Sequence, residues 1–172
     1  MTQAITGASA SVAAAVVGVI GLFNGAGRIV WANLSDYLGR TTTDGLFFVI
    51  QIAAFLALPR IATVPLFAGV LFLVITCYGG GFACLPAYLA DLFGTQELGA
   101  IHGYTLTGWS MAGVAGPTLV AQIVELTGGY ELAFCVVAGA LCVGLLCVGR
   151  LRWRMGTVRA AQLEGTPHGM GR

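Results

Sequence analysis

The chain has 172 residues, 58% of them hydrophobic and only 9% charged, with a mean hydropathy of +0.89. Soluble domains carry about 25% charged residues, so the composition excludes an ordinary water-soluble domain and points to an integral membrane protein in a lipid bilayer. The formal net charge of +1 comes with eight arginines, no lysine and no basic patch interleaved with aromatics outside the tail, so nothing suggests a nucleic-acid partner.

A membrane span needs about 20 apolar residues to cross about 30 Å of hydrocarbon. Five can be drawn, at about 8–33, 43–58, 64–89, 99–126 and 132–148, which predicts an all-α, polytopic membrane helix bundle over residues 1–155. The first lacks a positive n-region and continues too far for a signal peptide. Gly18, Gly21 and Gly25 thin it and predict close approach of a neighbouring helix. The second is short and ends at Pro59-Arg60. The third carries Gly79-Gly80-Gly81 past its middle and Pro86 near its end, read as packing and bending devices. The fourth carries a polar line, Thr107, Ser110, Thr118, Gln122 and Glu125, with Trp109 beside it. After the fifth, residues 156–172 are glycine-rich and mixed in charge, and are predicted to form a disordered cytoplasmic tail.

Arginine placement predicts the orientation. Arg40 follows the first span and Arg150, Arg152, Arg154 and Arg159 follow the fifth, while only Arg60 falls on the opposite side. The N-terminus is therefore expected outside and the C-terminus in the cytoplasm, in a bacterial inner membrane. The cysteines Cys77, Cys84, Cys135, Cys142 and Cys147 sit in apolar runs without metal-ligand spacing, and read as small hydrophobes. No metal or cofactor is expected. Gly25-Ala-Gly27 fails the spacing of a dinucleotide loop. Gly108-Trp-Ser110 lacks the partners of a serine nucleophile, so the chain does not read as an enzyme.

The most informative stretch is Gly21 to Arg40. Asn24, Arg28 and Ser35 share one face of the first helix, and an arginine on so apolar a helix should face a bundle interior or a wet cavity. The following turn, with Ala32, Asp36, Gly39 and Arg40, resembles the A-type motif of the major facilitator superfamily. The longer run of Phe23, Asn24, Gly25, Gly27, Arg28, Trp31, Ser35, Asp36, Gly39 and Arg40 resembles the oxalate/formate antiporter-like branch, where it lies between helices 8 and 9. Tyr78 to Gly94 resembles helix 10 of that branch with its following loop, and Gly103 to Pro117 resembles helix 11. The resemblance implies the C-terminal part of a transporter, helices 8–12, whose substrate lies between two six-helix bundles. Helix 7 and the N-terminal half would then be missing, the latter as a partner.

The candidate site residues follow. Arg28 offers a planar fork that matches a carboxylate in two parallel hydrogen bonds, and Asn24, one turn away, adds a neutral donor. Arg28 also precedes Ala32 by four residues, as the helix-8 arginine of monocarboxylate transporters precedes the small residue of their turn. The plainer reading is that Arg28 snorkels to the interface. Trp109 and Ser110 are expected to line the substrate path, against a plainer role in interhelical hydrogen bonding. Asp36, Arg40 and Asp91 are expected to brace a cytoplasmic gate, with Glu97 a further partner for Arg40. Gln51 reads as a packing hydrogen bond. Glu125 and Asp91 are the only carboxylates placed near membrane depth.

The expected function is a secondary transporter fragment that moves a small organic anion, a mono- or dicarboxylate, by alternating access. The fourth span lacks the second cation that the resemblance implies for oxalate. The alternative is a truncated, non-transporting membrane protein that acts only as a packed helical partner.

Overall fold

The computed structural model describes residue 7 and residues 9–164, with side chains described as far as Arg150 and at Trp153. Five α-helices follow in order: α1 (Ala10–Leu38), α2 (Arg40–Ala57), α3 (Val64–Phe93), α4 (Leu98–Thr127) and α5 (Glu131–Glu164), with a short 3-10 turn at Leu58–Arg60. The described residues contain no strand, so the all-α expectation holds.

Four segments are long and apolar enough to cross a membrane: α1, α2 with its 3-10 turn, α3 and Glu131–Arg150 of α5. Helix α4 is as long as α3, at 30 residues, but glycine, threonine and serine dilute its hydropathy. Connectivity nevertheless makes it traverse the bundle. Helix α3 ends beside Arg40, where Asp91 pairs with that arginine. The start of α5 lies at the far end, where Tyr130 and Phe134 pack with Leu58 and Phe67. Helix α4 has to run between these two ends.

Helix α2 starts at Arg40, earlier than the hydropathy pattern predicts. Its polar first turn is tolerated because Thr43, fully buried, donates its hydroxyl to the Gly39 carbonyl. Helix α1 stops at Gly39, whose φ of 85° suits glycine and turns the chain directly into α2. Helix α5 continues to Glu164, through the first part of the stretch expected to be disordered. Residues 165–172 lie outside the described residues.

The tightest crossing joins α1 and α3. A Cβ at Gly27 would collide with the Thr76 backbone, one at Gly79 with the Asn24 carbonyl, and one at Gly80 with the Trp31 side chain. Gly27 and Gly79 bring the helices into backbone contact, and Gly80 makes room for the Trp31 side chain. Gly18, Gly21 and Gly25, expected to do so, face open space. The difference is one of helix face, since Gly27 shares the buried side of α1 with Trp31 and Ser35. The crossing is fastened by Trp31 Nε1 donating to Thr76 Oγ1 at 3.3 Å, Cys84 Sγ donating to the Trp31 carbonyl at 3.6 Å, and Phe23 stacked on Phe72 at 4.3 Å. Cys77 and Cys84 are buried there as small hydrophobes, whereas Cys135, Cys142 and Cys147 point outward.

Candidate functional site

Arg28 sits on the half of α1 that the glycine crossing holds against α3. Its Nε donates to Asn24 Oδ1 at 3.3 Å, one helical turn away. Its guanidinium carbon lies 5.7 Å from the centre of the Phe82 ring on α3, inside the roughly 6 Å reach of a cation–π contact. Among the described residues no carboxylate pairs with it. The two terminal NH₂ groups, which form the fork of a guanidinium, remain open, and the side chain is exposed.

Phe82 carries the arrangement on to α4. Trp109 meets it edge-on at 5.1 Å between ring centres and donates its indole N–H to Tyr78 Oη at 3.1 Å. Tyr78 and Phe82, one turn apart on α3, lie 5.8 Å apart. The result is an aromatic wall of Tyr78, Phe82 and Trp109 with Arg28 on its α1 side. A cation over ring faces, with its fork open, is chemically suited to a small anion with an apolar body.

The structure therefore brings Arg28, Asn24 and Trp109 to one wall, and leaves Ser110 off it. Ser110 donates to the Leu106 carbonyl of its own helix at 2.9 Å and lines a shallow outer groove of α4 with Met111, Val114 and Gln122. Thr107 and Thr118 likewise bond back to carbonyls one turn earlier, so the hydroxyls of the polar line are satisfied within α4. Gln51 does the same to Phe47. Phe82 and Tyr78 were not legible as site residues, because the triple glycine beside them reads only as a packing device.

The second cluster sits at the helix ends. Arg40 Nε contacts Asp91 Oδ2 at 2.6 Å and its Nη2 contacts Asp36 Oδ1 at 3.4 Å. Of the two carboxylates expected as partners across the loop, Arg40 takes Asp91 and not Glu97. The cluster ties the α1–α2 turn to the end of α3. Directly beneath it Ser35 is buried, donating to the Ala32 carbonyl at 2.8 Å. Asp44, one turn further along α2, is a half-buried carboxylate absent from the sequence reading. It lies inside the second span as drawn from the sequence, where nothing marked it as a site residue. No group of histidine, cysteine and acidic side chains suited to a metal occurs among the described residues.

Apolar helices joined backbone to backbone, with one arginine over an aromatic wall and another bridging helix ends, define a polytopic integral membrane bundle. The chain belongs to the Major Facilitator Superfamily, whose family model matches residues 1–168. It is 30% identical over 134 residues to an oxalate:formate antiporter of Oxalobacter formigenes, covering 77% of this chain and 32% of that protein. It is also 26% identical over 122 residues to monocarboxylate transporter 10 of Danio rerio, covering 67% of this chain and 23% of that protein. The chain thus spans a third or less of the length of these relatives. No solved structure matches it.

Proposed function

We propose that the chain forms part of a secondary transporter for a small organic anion, with Arg28 as the carboxylate-binding cation. The observation that carries this is the guanidinium fork of Arg28, unpaired by any described carboxylate and held over Phe82. An uncompensated arginine at this depth is expensive in lipid, so a cavity and an anionic ligand are its natural complement. Asn24 orients the guanidinium from within α1, and Trp109 and Tyr78 extend the apolar wall. Ser110 has no part in this binding wall. Asp36, Arg40 and Asp91 act as a latch between helix ends at the cytoplasmic gate during alternating access. Family membership argues for a transporter over an enzyme, and the names of both relatives support the anion class.

The uptake experiment joins this chain to the first seven helices of the Oxalobacter relative in proteoliposomes and measures lactate, formate and oxalate uptake. Arg28→Lys keeps the charge and loses the fork. A cost of about 1.5–3 kcal/mol, the range for hydrogen bonds to charged groups, means roughly tenfold to hundredfold weaker affinity. Normal affinity in the lysine variant removes Arg28 from the site. The 172-residue chain alone should give no saturable uptake, because a path between two bundles needs both walls.

A second reading, a packed helical partner without transport, is favoured by α4, which buries none of its residues. Saturable, Arg28-dependent uptake by the joined carrier decides against it. For orientation, a reporter after Arg154 should be cytoplasmic and one at Thr63 external, as expected for a bacterial inner membrane. Both on one side would overturn the five-span arrangement.

A further inference from the structure

The aromatic wall also borders an open cavity of about 400 Å³ lined by residues of α2, α3, α4 and α5. Its lining includes six aromatic side chains, Phe47, Phe48, Tyr78, Phe82, Tyr88 and Trp109, and a single charged group, Asp44. Arg28 is not part of the lining. Arg40, one turn before Asp44, is already held by Asp36 and Asp91. Asp44 itself makes no salt bridge among the described residues. The Tyr88 hydroxyl, on the same lining, is buried without a hydrogen-bond partner. The fold thus leaves two polar groups of one cavity uncompensated, although buried polar groups are generally paired.

The chemistry of the lining selects the ligand. A carboxylate among apolar walls calls for a positive partner. Aromatic faces carry the negative end of a quadrupole and attract a cation as well. The carboxylate repels an anion, so this is not an extension of the Arg28 site. Calcium and magnesium take close arrays of carboxylate, carbonyl and water oxygens, whereas this lining offers one carboxylate among six aromatic side chains. The volume falls in the roughly 300–1,000 Å³ range of small-molecule sites, large for an inorganic ion. We propose that this cavity binds a small organic ammonium cation, with Asp44 as the counter-charge and the surrounding aromatic rings, Trp109 among them, as the faces that receive it. This assignment uses neither Arg28 nor its fork, although it shares Tyr78, Phe82 and Trp109 with the anion wall.

The test uses the purified 172-residue chain in lipid nanodiscs and radiolabelled choline as the probe. Saturable binding is expected, competed by unlabelled choline and not by its uncharged isostere, in which carbon replaces the ammonium nitrogen. Asp44→Asn, nearly the same shape without the charge, should weaken binding about tenfold or more. Trp109→Leu should weaken it several-fold while Arg28→Lys leaves it unchanged, separating this site from the anion site. Circular dichroism on each variant checks that the helices persist. Absence of saturable binding, equal competition by the isostere, or undiminished binding by both the Asp44→Asn and Trp109→Leu variants would overturn the proposal.

Discussion

Arg40 and Arg28 carry the same charge under opposite conditions. Arg40 lies at a helix end, partly shielded, with one carboxylate from its own turn and another from α3 around it. Arg28 lies well inside α1, exposed, with only an amide oxygen and a ring face for company. If charge alone marked a binding site, the two would be equal candidates. On the proposed function, the difference means that the unsatisfied cation, held in place by the glycine crossing, is the one with capacity for a ligand. The satisfied cation fastens elements together.

The largest expected effect breaks the frame under Arg28. Gly79→Ala puts a Cβ against the Asn24 backbone carbonyl, and overpacking of this kind costs about 1–3 kcal/mol. The thermal unfolding midpoint in nanodiscs should fall. Gly21→Ala, at a position facing open space, should raise it slightly, because alanine is favoured over glycine in a helix by about 0.5–1 kcal/mol. Equal effects at both positions would mean that the glycine crossing does not hold the site.

A smaller effect sharpens the contrast between the arginines. In the joined carrier, Arg40→Lys should leave substrate affinity within about twofold, well under the 1.4 kcal/mol that a tenfold change represents. Arg28→Lys should lower it by the larger factor given above. Loss of affinity in the Arg40 variant equal to that in the Arg28 variant would erase the distinction.

The smallest effects concern the latch. Both carboxylates around Arg40 are well exposed, and exposed pairs are worth about 0.2–1 kcal/mol. Asp91→Asn, which removes the shorter contact and the one that ties Arg40 to α3, should cost more than Asp36→Asn. Both costs should shrink in high salt, as screening predicts. Salt-independent losses above that range would mark a buried network instead.

How much was legible follows from the same physics. Hydropathy gave the helices because lipid leaves a backbone few other choices, and it failed where polar residues satisfy themselves. The Thr41–Thr43 run hid the true start of α2, because threonine hydroxyls can return to helix carbonyls. The A-type turn placed Asp36 and Arg40 together by spacing alone, and the match to Asp91 needed the fold. Arg28 and Asn24 were readable from a shared helix face. Phe82 was not, since nothing in one helix says which ring of another lies opposite. Ser110 lies off the wall for a directional reason, because it bonds back to Leu106 while its neighbour Trp109 meets Phe82.

The central claim, that Arg28 is open to an anion and Arg40 is not, can be read atom by atom. All basic side chains except the two histidines are arginine, so arginine-selective nitrogen NMR of the chain in nanodiscs follows them without interference from lysine. Titration with formate should move the Arg28 Nε–H resonance saturably and leave the Arg40 resonance in place. Movement of Arg40 in step with Arg28, or a still Arg28 resonance, would contradict the account.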